Sequence, residues 1–186
     1  MKIGVFIGSF NPPHVGHEKI MQYLLEKKYV DKILLVPTGN YWDKNNLLPL
    51  KERINLLKFY ENKCITVETE YNNCTFTYEL MRNLNKKYIS DELFLIMGAD
   101  NIVNFTKWQN YEELLEYPII VMNRNHIDIT KYTEKLKGNF LIIKDYPFID
   151  ISSSQIRENI RLYQNYLKKE VYKSIIENKL YGESYE

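Results

Sequence analysis

Six short apolar runs, none long enough for a helix, punctuate the first 150 residues and limit what this chain can fold into. They are Ile3–Ile7, Ile33–Val36, Leu93–Met97, Ile119–Met122 and Phe140–Ile143, with a weaker run near Ile65–Val67. Their near-continuous Ile, Val, Leu and Phe content predicts strands covered on both faces, the signature of a parallel sheet. Helical patterns separate them: Val15–Lys28, Leu50–Tyr60, Phe76–Lys86, Tyr111–Leu115 and Thr130–Leu136. After Asp150 the chain turns helical through Gln155–Arg161 and Tyr166–Asn178. Strands alternating with helices build βαβ units, so the expected class is α/β. The sheet is expected to be doubly wound and mainly parallel, followed by a helical C-terminal segment from about residue 152. No internal repeat, low-complexity linker or charge block divides the chain, which reads as one domain over 1–186.

Charge narrows the partners. Lys and Arg total 25 against 24 Asp and Glu, a net charge of +1, so no global basic field argues for nucleic acid. No stretch of 18 apolar residues suggests a membrane span, and the short apolar start lacks a signal-peptide cleavage pattern, so a cytoplasmic location is expected. Cys64 and Cys74 lie outside any metal-binding spacing and read as free thiols in a reducing compartment.

In open parallel sheets, ligands bind beyond the carboxyl ends of the strands. The segment GSFNPPHVGH follows the first strand directly. Pro13 forces Pro12 into an extended conformation, so a helix can begin only beyond the pair. Gly8 permits close backbone approach, while Ser9 and Asn11 offer hydrogen bonds to a strand-to-helix turn. A helix amino terminus favours phosphate, and His14 and His17, three residues apart, bracket this one. Two of the chain's three histidines thus converge where an anion would sit.

IDISSSQIR follows the last apolar run and opens another helix. Ser152, Ser153 and Ser154 are cap candidates, and Arg157 lies on their helix face, able to reach back to the same anion. In the middle of the chain, Gly98-Ala99-Asp100 leaves the fourth predicted strand. Asn110 and Glu113 read as a capping box, which leaves Trp108 on a loop as a flat stacking surface. His126 reads as a solvated loop residue.

His14-Val15-Gly16-His17 is the HxGH signature of the nucleotidyltransferase superfamily, whose fold is Rossmann-like. Gly8-Ser9-Phe10-Asn11-Pro12 resembles the approach to it in nicotinate-mononucleotide adenylyltransferases, and ISSSQIR resembles the superfamily's ISSTxxR motif. GADNIVNFTKW is similar to that family's GxD…W segment, and Thr75-Phe76-Thr77 to its S-Y-T segment. The resemblance spans most of the chain. It departs after Pro37, where TGNYWDKNNLLPLKER replaces Pro-Pro-His-Lys, and at Arg124-Asn125-His126, which replaces Arg-Pro-Gly.

The resemblance implies transfer of AMP from ATP to nicotinate mononucleotide, forming deamido-NAD and pyrophosphate. The mononucleotide 5′-phosphate would attack the α-phosphorus, with His14, His17 and Arg157 as catalytic residues. It implies ATP contacts at Gly8, Ser9, Phe10, Gly16, Ser152, Ser153, Ser154 and Arg157. Asn11, Lys44, Thr77, Gly98, Asp100, Trp108 and Arg124 would hold the mononucleotide, Asp100 on the ribose and Trp108 on the pyridine ring. Lys44 and Arg53 are further phosphate partners by approximate alignment. Mg²⁺ is expected through substrate and water rather than a protein cage. Nicotinamide mononucleotide or phosphopantetheine as acceptor, or a nucleotide sensor without catalysis, are the alternatives. A homo-oligomer is compatible with all of them.

Overall fold

The computed structural model describes residues 1–38, 47–124 and 127–182. The six expected strands are β1 (Lys2–Gly8), β2 (Lys32–Pro37), β3 (Ile65–Val67), β4 (Glu92–Gly98), β5 (Ile119–Met122) and β6 (Phe140–Ile143). They form one parallel sheet in the order β3-β2-β1-β4-β5-β6. This is the doubly wound order in which strand progression reverses beside β1, opening a crevice between the carboxyl ends of β1 and β4.

The helices are α1 (Val15–Glu26), α2 (Leu50–Leu57), α3 (Thr77–Lys87), α4 (Ala99–Val103), α5 (Tyr111–Leu114), α6 (Thr130–Thr133), α7 (Ser153–Glu158) and α8 (Lys169–Glu177). Side chains alternate across a strand, and the sheet feeds two cores accordingly. Phe6, Ile33, Leu35, Ile96, Ile120 and Ile143 face α1, α2, α7 and α8, where Leu24, Leu57, Ile156 and Ile175 are buried. Val5, Leu34, Val36, Leu95 and Val121 face the other way, against Leu80, Leu84, Ala99, Ile102 and Leu114 of α3, α4 and α5. This explains the apolar runs without polar gaps in the central strands, which have an apolar partner on both faces; the edge strand β3 is covered on one, with Thr66 exposed.

Several boundaries differ from the expectation for local reasons. The expected Leu50–Tyr60 helix ends as α at Leu57 and tightens into a 3₁₀ turn over Lys58–Tyr60. The helix expected at Gln155–Arg161 is α7, two residues earlier and six long. The short α4 starts directly at the end of β4, so Asp100 stands on a first helical turn. Asn110 does not cap α5 with its side chain; it takes a left-handed backbone (φ 50°). Glu113, expected as its capping partner, instead pairs with Arg82 of α3, with Arg82 Nη2 donating at 2.6 Å.

Leu24 is fully buried and fixes the helix that follows the HxGH motif to the sheet. Leu24→Ala is expected to lower unfolding free energy by about 3 kcal/mol, the usual cost of such a cavity. Urea unfolding should show a lower midpoint at unchanged slope.

Candidate active site

At the end of β1 the backbone turns sharply. Phe10 adopts φ 47°, a region unfavourable for a bulky residue, and its ring is buried (1% exposed) edge-on to Phe6 and to His17, 5.0 Å away. A β-carbon on Gly8 would meet that ring at 3.2 Å, so glycine lets the aromatic anchor lie under the strand exit. Phe10 was expected among the ATP contacts; with its ring in the core, only its backbone can serve there. Ser9 remains exposed.

His14 is the N-cap of α1, and the HxGH motif is a capping box built from two imidazoles. His14 Nδ1 accepts from the Gly16 N–H at 3.0 Å, and His17 Nδ1 accepts from the His14 N–H at 3.1 Å. The ring centroids lie 3.9 Å apart. A β-carbon on Gly16 would come within 2.8 Å of the His14 ring, which accounts for the glycine between the two histidines. Because each Nδ1 accepts a hydrogen bond, each neutral ring carries its proton on Nε2. Neither Nε2 has a hydrogen-bond partner among the described residues. Burial, aided by the positive charge of Arg124, pushes His14 down to about 4. Burial pushes His17 well below its ordinary value, with smaller contributions from His14 and Arg124.

The second motif closes on the first. Ser152 caps α7: its Oγ accepts from the Gln155 N–H at 3.2 Å, while Gln155 Oε1 accepts from the Ser152 N–H and hydroxyl. Ser153 Oγ donates to the Pro12 carbonyl at 2.8 Å, and Arg157 Nη1 donates to the Asn11 carbonyl at 2.8 Å. Arg157 Nη2 also reaches the Ser154 hydroxyl at 3.3 Å. The two segments, some 140 residues apart in sequence, are one hydrogen-bonded unit. Beyond the serine cap, the backbone amides of Ser153 and Ser154 in the first turn of α7 face outward from the helix start, as an anion site requires.

Of the central residues, Gly98, Asp100 and Arg124 lie at the carboxyl ends of β4 and β5. Gly98 ends β4, and a β-carbon there would meet Asp100 Oδ1 at 2.8 Å. Asp100 pairs with Arg124 at 3.7 Å, joining the carboxyl ends of β4 and β5. Thr77 is the first residue of α3 and half-buried. Trp108 follows the 3₁₀ turn Phe105–Lys107, half-buried with its ring centroid 5.6 Å from that of Phe105. It packs against the second core and is not fully covered by it. Lys44 and His126 lie outside the described residues.

Arg53 corrects the alignment-based expectation. It is 1% exposed, with Nε donating to the Leu48 carbonyl at 3.0 Å and Nη1 to the carbonyls of Ser9 (2.8 Å) and Thr38 (2.7 Å). A guanidinium so buried and so committed to main-chain oxygens is a clamp on the loop after β1, not a phosphate hand. Asn11 is likewise buried: its Oδ1 accepts from the Leu48 N–H at 3.2 Å and from the Tyr181 hydroxyl at 2.9 Å. Tyr181 stands in VYKSIIENKLYG, which is similar to the family's closing helix, but nothing local to it signals that it reaches the HxGH loop. Asn123, after β5, ties its own loop through Ile127, donating to its carbonyl at 2.9 Å and accepting from its N–H at 3.2 Å.

The family model described as cytidylyltransferase-like matches residues 5–159. A protein of Fusobacterium nucleatum subsp. nucleatum named "Probable nicotinate-nucleotide adenylyltransferase" is 35% identical over 170 residues, covering 87% of this chain and 88% of that protein. One of the same name from Acholeplasma laidlawii is 35% identical over 188 residues, covering 96% and 97%. In structure the chain is similar to Plasmodium falciparum nicotinic acid mononucleotide adenylyltransferase complexed with NaAD. The TM-score is 0.80 at 21% identity, over 100% of this chain and 99% of the other.

The histidines make stability depend on pH. Histidines of the unfolded chain take up protons below about pH 6.5, whereas folded His14 does so only near 4. Unfolding therefore binds protons in that window; stability is full above it and falls as pH drops through it. Urea titrations from pH 7 to 4 should show a loss on the order of 3 kcal/mol from His14. His14→Asn, which keeps a cap acceptor but cannot titrate, should flatten the slope.

Proposed function

The chain belongs to the cytidylyltransferase-like family of nucleotidyltransferases, and on that premise we propose that it transfers AMP from ATP to nicotinate mononucleotide, making deamido-NAD and pyrophosphate for NAD biosynthesis. The observation that carries the reading is the junction of the two phosphate motifs. Ser153 and Arg157 bond the backbone immediately before His14, so imidazole and guanidinium donors address one volume above β1.

The phosphate monoester of the mononucleotide is already an anion and needs no protein nucleophile or strong base. One of its oxygens bonds the α-phosphorus of ATP in line as the bond from that phosphorus to the bridging oxygen breaks, and pyrophosphate leaves with the electron pair. Catalysis is then positioning and charge neutralisation. His14 and His17 present Nε2–H donors to the α-phosphate region, and the triphosphate itself raises their pKa, because an adjacent anion favours the protonated ring. Ser152 orders the first turn of α7, while the amides of Ser153 and Ser154, with Arg157, hold the β- and γ-phosphates. Gly8 and Gly16, which leave room for the Phe10 and His14 rings, and the exposed Ser9 supply further ATP contacts. Mg²⁺ would enter with ATP, held mainly through substrate and water, and would supply further neutralisation of the phosphate charge.

Across the crevice, Asp100 orients the mononucleotide ribose and Trp108 offers its open ring face to the pyridine, with Thr77 behind it and Arg124 balancing its phosphate charge. Asn11 acts through the shape of the loop rather than by direct contact, given its two bonds to Leu48 and Tyr181. We place the reaction in the cytoplasm, where ATP and free thiols such as Cys64 and Cys74 coexist. No helix among the described residues is long and apolar enough to cross a membrane.

His17→Ala should reduce kcat by roughly 10²- to 10³-fold with the fold intact by circular dichroism, the range typical for losing a preorganised donor. Near-normal turnover would remove the mechanism. Pyrophosphate release from ATP should require a pyridine mononucleotide, with nicotinate preferred over nicotinamide and no turnover with phosphopantetheine; the opposite ranking would reassign the acceptor.

A further inference from the structure

The turn that follows α8 has a backbone its sequence does not favour. Lys179 (φ 49°), Tyr181 (φ 68°, ψ 17°) and Gly182 (φ 70°) all take left-handed conformations. Only glycine enters that region freely, so an aromatic residue there is held by its surroundings. Two contacts hold Tyr181. Its ring is partly buried against the core shared by α1, α7 and α8, and its hydroxyl donates to Asn11 Oδ1 at 2.9 Å across 170 positions of sequence. A packing role alone would be met by phenylalanine, and a turn alone by glycine. The residue that stands there supplies a donor aimed at the loop before His14.

What that donor fixes is a junction. Asn11 Oδ1 also accepts from the Leu48 N–H at 3.2 Å, so its side-chain oxygen is gripped from two sides in a buried position. The main-chain carbonyl of the same residue accepts from Arg157 Nη1 at 2.8 Å, and the next carbonyl, of Pro12, accepts from Ser153. Arg157 Nη2 reaches the Ser154 hydroxyl at 3.3 Å, so its guanidinium is set by the loop on one side and by α7 on the other. A residue held at its side chain has little freedom to turn its own carbonyl. The direction of Arg157 therefore depends on Asn11, and that of Asn11 on Tyr181 and Leu48. Arg53 secures Ser9 two residues earlier, but through the Ser9 carbonyl rather than through Asn11.

We propose that Tyr181 is a positioning residue for the donor nucleotide: through Asn11 it sets the direction of Arg157, and so the grip on the β- and γ-phosphates of ATP. The proposal rests on the adenylyl-transfer reading above. The test is calorimetric titration of wild type and Tyr181→Phe with ATP and with AMP, which lacks those two phosphates. The variant should bind ATP about fivefold more weakly, the size of one hydrogen bond of ordinary strength, and AMP as before. In an Asn11→Ala background, where the acceptor is already gone, adding Tyr181→Phe should change ATP affinity no further. In turnover, kcat/KM for ATP should fall while KM for the mononucleotide holds, because Thr77, Asp100 and Trp108 stand on α3, α4 and the loop beyond it. An unchanged ATP affinity, an equal loss for ATP and AMP, or a loss that persists in the Asn11→Ala background would overturn the assignment; the equal loss is what a merely structural tether would give. A wild type that binds ATP but does not use nicotinate mononucleotide would count against the functional reading alone, with the titrations still deciding on Tyr181. A wild type that does not bind ATP would overturn both.

Discussion

Two hydrogen bonds hold the candidate site together: Ser153 to the Pro12 carbonyl and Arg157 to the Asn11 carbonyl. Carbonyls in a turn containing two prolines have no helix or strand to receive them, and Asn11 and Pro12 are buried. Without donors from α7 those oxygens would be left unpaired away from water, a costly state. The chain must therefore return to β1 after the sheet is complete, and the final helices are a structural requirement of the first loop. Arg53 performs the same service from the opposite side, tying the carbonyls of Ser9, Thr38 and Leu48. Tyr181 adds a bond to the side chain of Asn11.

This loop is stiff because the chemistry needs fixed dipoles. The two histidines spend their Nδ1 atoms on the backbone of α1, which orients both rings and directs both protons to Nε2. They are neutral in the free protein because burial and Arg124 disfavour their charge. A nucleotide triphosphate reverses that balance. The site gains its positive character when the anion arrives, so no strongly repulsive cluster has to be maintained in its absence. Across the crevice, Asp100 and Arg124 balance each other's fixed charge, with 53% of the Asp100 side chain and 35% of the Arg124 side chain exposed.

Much of this was legible in the residues. The six apolar runs located the strands to within a residue or two at each end, because burial on both faces leaves a local and continuous hydrophobic signal. Pro13 located the start of α1, since proline chemistry acts within a residue or two. Less visible was anything whose energetics depend on a distant partner. Asn110 has the residue type of a cap, yet Glu113 gains more from Arg82 on α3 than from a cap three residues away. Arg53 reads as a phosphate partner by alignment until the loop after β1 folds over it.

The sequence by itself determined the parallel sheet, the strand exits and the two phosphate-type motifs that resemble nucleotidyltransferases, because periodicity, capping and glycine placement are short-range effects. Only the tertiary structure decided that those motifs form one unit. It also made Arg53 and Asn11 hold the loop and buried the hydroxyl of Tyr146 without a partner among the described residues. The physical reason is desolvation. Which polar groups must find partners depends on which are taken out of water, and that is set by the whole fold rather than by neighbours in the chain.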